Sequence, residues 1–441
     1  MEHKKGSLKS TIAVSLTNYL DAGAIVAGAS GLTLWQNYLG LAGTHLSWLN
    51  ALSANCFGAA IGAIIGGRLA DKYGRKTIYT YNMLLYMLGV LVVIFASNFP
   101  MLLAGFLITG ISVGVGVPAS WTYISETSEV NNRGRNIGIS QLAWSVGPAL
   151  IFFLGWLVSG PLGKQVNALG TIVLGTTDEI ALAVFGNRLI FVTLFIVALI
   201  AWLLQRRLDE SAEWKLSKQA ESQSDKQSHP YKSLFTNKIN IKTICFLVGI
   251  YLTWNFVAGA MGFFMPHVYE TAGGLTNEHA NFLQMFMWSL TAIFSFVGFG
   301  LLVDKVNQRW LYAFGTALGV AAWVVLTFVG IKSQSALWSF VVLWGVHAGF
   351  GVQAFYALWA SELFPAKYRA AAQGVMFFII RGLSAVWSFV FVYIYAEGTR
   401  FELAGKALVG LLLVSLLVGV IATPKTRGKS LKEIEKERYG K

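Results

Sequence analysis

Two ionisable residues stand where charge is expensive. Asp21 lies about ten residues into an apolar stretch, in Asn18-Tyr-Leu-Asp21-Ala-Gly, and Arg381 lies twelve residues beyond Arg369 in another. Twelve residues of helix rise ~18 Å, which puts Arg381 near the middle of a bilayer. A carboxyl at such depth resists ionisation, which suits a group that takes up and releases a proton. An arginine cannot shed its charge there and must face a partner or a wet cavity. Three roles fit Arg381: a partner for Asp21, a bidentate anchor for a carboxylate ligand, or half of a purely structural ion pair. Further charges come in pairs at the ends of apolar stretches. Glu126 and Arg133 are seven residues apart, and so are Glu362 and Arg369, at an offset of 236 residues.

The elements that must position these groups are membrane spans. The 441-residue chain is 55% hydrophobic, 14% aromatic and 12% charged, with a mean hydropathy of +0.58. That is too little charge to cover a soluble surface, so an all-α, polytopic membrane protein is expected. Twelve candidate spans lie near 11–35, 46–66, 77–97, 99–124, 137–159, 188–205, 241–264, 279–303, 309–331, 336–360, 371–396 and 403–423. With both termini inside the cell, 28 of the 34 Lys and Arg fall in cytoplasmic segments. Five remain outside (Lys164, Arg188, Lys332, Arg400, Lys406), an asymmetry that orients a multi-pass protein of the cell membrane. The net charge of +13 does not point to nucleic acid, because no basic face is interleaved with aromatics.

Met1 to Ser10 is short and charged, so no cleaved signal is expected. Cys56 and Cys245 fall in apolar spans and read as small packing residues. Arg206 to Asn240, rich in Lys, Ser and Gln, reads as a cytoplasmic connector between two halves, and Gly160 to Asn187 as a long external loop with no assigned role. No metal-ligand cluster, P-loop or nucleophile arrangement is present, so neither enzyme activity nor a cofactor is expected.

The chain repeats itself. The stretch Gly67 to Lys76, GRLADKYGRK, returns in weakened form at Gly300 to Arg309, offset by 233 residues. Two repeated pairs at nearly equal offset imply two similar bundles facing each other, with a binding site near the midplane. Carboxylates at these helix ends (Asp71, Glu126, Asp304, Glu362) can pair with Arg75, Arg133, Arg309 and Arg369 in a cytoplasmic gate. Each exposed pair is worth ~0–1 kcal/mol, but a network that forms only in one state biases a two-state equilibrium by more.

At every defined position, Gly67-x-Leu-Ala-Asp71-Lys-x-Gly-Arg75-Lys resembles the signature between helices 2 and 3 of the major facilitator superfamily. Ser361-Glu362-Leu-Phe-Pro365-Ala-Lys-Tyr-Arg369, Asp209-Glu210-Ser211-Ala212-Glu213-Trp214 and Pro424-Lys-Thr-Arg-Gly428 are similar to segments of its sugar porter family. The likeness covers nearly the whole chain. It implies twelve transmembrane helices in two pseudo-symmetric six-helix bundles, residues 1–205 and 241–423, joined by the connector 206–240 and followed by a cytoplasmic tail, 424–441. It also implies secondary transport by alternating access. Gln141 stands where the family keeps a sugar-binding glutamine, and Asp21 where proton-coupled members keep an aspartate.

The pocket departs from the family. Thr253 and Trp254 replace a glutamine pair, Ala357 a tryptophan, Ile380-Arg381 a Gln-Trp pair, and Phe106 an arginine that partners the coupling aspartate. Amides and aromatic faces suited to a sugar remain in Trp254, Asn255, Gln353 and Tyr356, with His347 a weaker candidate. The expectation is a proton-coupled symporter of a sugar or sugar-like solute, acting as a monomer in the lipid bilayer with protons as co-substrate. Its rivals are a carrier of an anionic solute such as a sugar acid, a uniporter with a structural Asp21, and a transporter-like sensor.

Overall fold

The computed structural model describes residues 8–73, 75–127, 133–206, 234–365 and 369–440, and side chains for most of these. Among them every regular element is helical. In hydrocarbon the backbone must satisfy its own hydrogen bonds, and a helix does so within one segment. The first half of the chain holds α1 (Leu8–Ala29), α2 (Leu32–Leu39), α3 (Gly43–Leu52), α4 (Phe57–Tyr73), α5 (Arg75–Ile94), α6 (Phe99–Thr127), α7 (Arg133–Ser159), α8 (Gly163–Leu174) and α9 (Glu179–Gln205). The second half holds α10 (Lys238–Thr271), α11 (Asn277–Phe294), α12 (Gln308–Val329), α13 (Gln334–Phe350), α14 (Val352–Glu362), α15 (Arg369–Tyr395), α16 (Phe401–Ala422) and α17 (Leu431–Tyr439). Ten of the described helical stretches are long and apolar enough to cross a membrane, and Thr80–Ile94 is a shorter apolar one.

Several expected spans are interrupted. The 11–35 span ends as a helix at Ala29, where Ser30 turns its hydroxyl onto the Ala27 carbonyl (2.8 Å), and α2 follows. The 46–66 span breaks between α3 and α4, where the Ser53 hydroxyl accepts from the Asn55 N–H. The 336–360 span breaks at Gly351, and α11 runs into a π-helical turn, Ser295–Gly300. The loop expected over 160–187 is largely helical: α8 fills its middle, and Asp178 caps an α9 that starts nine residues earlier than expected. Cys56 is buried as expected, whereas Cys245 is exposed rather than packed, because it lies on an outward face of α10.

Small residues let α4 and α6 pack backbone to backbone. A Cβ on Gly62 would fall on the Ile111 carbonyl oxygen, and one on Gly114 on that of Ala59. Close approach of this kind replaces the hydrophobic driving force that helices lack inside lipid. The two halves of the chain meet where α1 packs on α10, α7 on α11, and α15 on α3 and α4. At the far end of the sequence α17 docks on the second half. Its Tyr439 hydroxyl donates to Asn240 Oδ1 (2.7 Å) and contacts the Leu363 carbonyl (3.1 Å). Gly62→Leu should therefore cost about 1–3 kcal/mol of stability or block folding, read as a lowered unfolding temperature in detergent. Gly410→Leu, whose added Cβ meets open space, should leave that temperature unchanged.

Candidate binding site

Where the halves meet, a cavity of about 650 Å³, including its part open to solvent, is lined from both sides. The first half supplies Gln141, Trp144 and Ser145, one face of α7 by their spacing, together with Asn55. The second half supplies Trp254 and Asn255 of α10, Trp288 and Thr291 of α11, Trp344 of α13, Gln353 of α14 and Arg381 of α15. Five of the residues expected at the site therefore share one chamber: Gln141, Trp254, Asn255, Gln353 and Arg381. Gln353 Nε2 donates to Gln141 Oε1 at 3.0 Å, so one amide from each half closes a bond across the interface. Asn255 Nδ2 donates to the Ser384 hydroxyl (2.7 Å). Trp144 and Trp288 face each other across the halves at 5.7 Å between rings.

Arg381 is buried and does not meet Asp21. Its Nη1 donates to the backbone carbonyl (2.6 Å) and Oδ1 (3.1 Å) of Asn55, and its guanidinium lies over the Phe377 ring at 4.9 Å. At Nη1 a carbonyl and an amide, rather than a carboxylate, replace water, while Nε is buried without a partner among the described residues. Both oxygens of Asp21 are buried without a hydrogen-bond partner among the described residues. The Tyr86 hydroxyl donates to the adjacent Leu20 carbonyl (3.1 Å).

Tyr356 lies behind the cavity wall rather than in it. Its ring stacks on Tyr251 at 4.2 Å, and Tyr251 stacks on Trp254 at 5.6 Å. His347 is also structural: Nδ1 donates to the Gly315 carbonyl (2.6 Å), and Nε2 accepts from Trp254 Nε1 (2.9 Å). With one nitrogen donating and the other accepting, the ring is neutral and fixed in one tautomer. Sequence reasoning missed Trp144, Trp288, Trp344 and Asn55. Tryptophans in spans read as packing or belt residues, but the polar cluster Asn50, Ser53, Asn55 inside an apolar stretch was a legible signal.

Of the expected gate residues, Asp71, Arg75, Glu126 and Arg133 lie outside the residues whose side chains are described. Asp304 Oδ2 accepts from the backbone N–H of Arg135 at the start of α7 (3.1 Å), linking the halves. Arg309 is exposed at the start of α12. Glu362 and Arg369 are buried at the same end, where Arg369 Nε donates to the Phe364 carbonyl (3.2 Å).

Against known proteins, the Major Facilitator Superfamily model matches residues 11–389. The minor myo-inositol transporter IolF of Bacillus subtilis (strain 168) is 40% identical, over 98% of this chain and 94% of that protein. The arabinose-proton symporter of the same organism is 26% identical, over 87% of this chain and 85% of that protein. A crystal structure of a D-xylose-proton symporter superposes with a TM-score of 0.73 at 18% identity, covering 96% of this chain and 99% of that one. The inward-open xylose transporter XylE of E. coli superposes with a TM-score of 0.69 at 19% identity, covering 97% and 99%. At such identities these two structures speak for the fold.

The His347 arrangement makes a prediction about the cavity wall. Trp254→Phe keeps an aromatic ring against Tyr251 but leaves His347 Nε2 buried without its donor. The cost should be about 1–3 kcal/mol in unfolding free energy, measured by thermal or denaturant unfolding in detergent.

Proposed function

This chain belongs to the major facilitator superfamily and is of sugar-porter type, and on that premise we propose that it is a secondary transporter carrying a sugar or cyclic polyol with protons by alternating access. The observation that carries the reading is the bond from Gln353 to Gln141 inside a chamber of amides, hydroxyls and tryptophans. A ring with several hydroxyls needs donors and acceptors around its edge and flat apolar surfaces on its faces, which this lining supplies. Entry of such a solute exchanges the amide–amide bond for bonds to both halves at once, so binding is felt across the interface. Gln141, Trp254, Asn255, Gln353 and Arg381 are the proposed contacts, with Tyr356 supporting Trp254 through Tyr251. The 40% identity to a myo-inositol transporter favours a cyclic polyol.

The arrangement proposed around this site has twelve spans in two six-helix bundles, residues 1–205 and 241–423, with 206–240 as connector and 424–441 as tail. Both termini face the cytoplasm, in keeping with the placement of Lys and Arg. The charges Asp71, Arg75, Glu126, Arg133, Asp304, Arg309, Glu362 and Arg369 form the cytoplasmic gate. Asp21 is the proton site: a lone buried carboxyl is far easier to carry protonated than ionised. A second reading, an acidic solute such as a sugar acid, is favoured by the charge on Arg381, which has no carboxylate partner among the described residues.

Counterflow in proteoliposomes against inositols, pentoses, hexoses and sugar acids tests the reading; binding without exchange for every solute would make the protein a sensor instead. Asp21→Asn should abolish uptake driven by a pH gradient while leaving counterflow measurable, because Asn keeps the shape and loses only the titration. Undiminished proton-driven accumulation in that variant would move the coupling elsewhere. Arg381→Gln should raise the Kd of an acidic solute by a factor corresponding to roughly 1.5–3 kcal/mol, and hardly change that of a neutral polyol, if the second reading holds.

A further inference from the structure

Away from the cavity, at the end of the molecule opposite Asp304 and Glu362, two ionisable side chains sit on one face of α10. His267 is buried and Glu270 half-buried, three residues apart near the end of that helix. Thr33, at the start of α2 in the other half of the chain, bridges them. Its hydroxyl is 2.9 Å from His267 Nδ1 and stands close enough to the Glu270 carboxyl to favour its ionised form. A hydroxyl has a single proton to give. When Glu270 is ionised its charge draws that proton, and His267 Nδ1 is then the donor to Thr33. Asn277 of α11 closes the cluster from the other side: Nδ2 donates to Glu270 Oε1 (3.1 Å) and to the Ser30 carbonyl of the first half (3.0 Å).

The other ionisable groups of this region are engaged elsewhere. Arg188 of α9 holds the Ala96 carbonyl (2.7 Å) under the rings of Trp35 and Tyr38, and His279 of α11 bonds Thr276 (2.9 Å). Tyr395 of α15 sets its ring edge-on to His267 at 6.5 Å with its hydroxyl paired to Thr271, Glu397 lies beyond it, and Glu278 of α11 packs beside Gly160. Among the described residues the side chains acting on Glu270 are Asn277 and Thr33, both neutral.

We propose that His267, Thr33 and Glu270 form a second proton-binding site, which latches this end of the two halves while Glu270 is ionised and releases it when Glu270 is protonated. The proton comes from the solvent at that end and returns to it. Once protonated, the carboxyl is itself a donor, and it no longer offers charged acceptors to Thr33 and Asn277 together, so the links between the halves weaken. The latch rests on the transport reading, whose cycle requires this end to open, and it gives the opening a pH dependence at a group other than Asp21. If the open form binds the proton tenfold more tightly than the shut form, acidification shifts the open-to-shut ratio up to tenfold.

The test is a distance measurement on the full chain in lipid nanodiscs, without solute. Cys56 and Cys245 are replaced by Ala, and spin labels are placed on Asn37→Cys and Glu402→Cys, exposed positions in opposite halves. The distance distribution should lengthen between about pH 8 and about pH 5, the range in which a perturbed carboxyl or histidine titrates. Glu270→Gln should hold the long distances at both pH values. Thr33→Val, which removes the bridge from the other half without touching the titrating group, should also lengthen the distances at about pH 8. An unchanged distribution across the range overturns the proposal. So does a full pH response retained in Glu270→Gln, or one lost in Asp21→Asn but kept in Glu270→Gln. Because distances are read without flux, a failure to transport any solute would sink the transport reading and leave this result standing.

Discussion

Arg381 carries a charge it cannot lose, at a depth where protein must replace the solvation of water. The replacement comes from the break between α3 and α4. Asn55 lies outside both helices, and its carbonyl accepts the Arg381 guanidinium together with its own Oδ1. The same amide then reaches outward: Nδ2 donates to Asn50 Oδ1 (3.0 Å) and to the Gly259 carbonyl of α10 (3.1 Å). Asn50 in turn donates to Ser388 of α15 (2.8 Å). Irregular backbone inside a membrane is tolerated where it faces protein or a cavity. Here the irregularity supplies the acceptor for the cation, and it draws α3, α10 and α15 together beside the cavity.

Several other polar groups of the wall have neutral partners, although Gln141 Nε2 and Trp288 Nε1 have none among the described residues. Gln141 is matched to Gln353, Asn255 to Ser384, and Trp254 to a His347 whose other nitrogen is spent on a backbone carbonyl. Asp21 is the contrast, since neither of its oxygens has a partner among the described residues. The Arg381 charge has been given two acceptors at Nη1, and the Asp21 carboxyl has no donor among the described residues.

Composition, positive-inside asymmetry and the 236-residue repeat made the membrane class and the internal duplication legible without coordinates, because they depend on residue type and order alone. Gln141, Trp254, Asn255, Gln353 and Arg381, which line the cavity, stood out because amides, an aromatic and a cation inside apolar stretches are costly and therefore informative. Tyr356 stands behind the wall, stacked on Tyr251, and its aromatic face reads the same in sequence whether it packs or binds. The partner of Arg381 was illegible for a different reason. Half of it is a backbone carbonyl, which every residue carries, and it became available only where hydropathy showed an unbroken span. The same blindness hid the breaks at Ser30 and Gly351: hydropathy averages over windows longer than a helix end. It also hid α8, whose exposed Ile172 and buried Val166 lie in a stretch that reads as a loop.

The links between the halves differ at their two ends in a way that bears on a moving interface. At the end carrying Thr33 they are hydrogen bonds from two amides to the Ser30 carbonyl and one between a hydroxyl and a histidine. Each is worth only about 0.5–1.5 kcal/mol net, since water replaces it when broken. A handful of such bonds sums to the few kcal/mol by which a solute or a proton can shift a two-state equilibrium. A buried ion pair at the same place would hold harder and cost more to part, because each charge would have to be resolvated separately. At the opposite end one link is the Asp304 carboxylate on a backbone N–H at the start of α7, where the helix dipole favours a negative charge. An interface built this way is held by many small terms, and each of them can be exchanged with water.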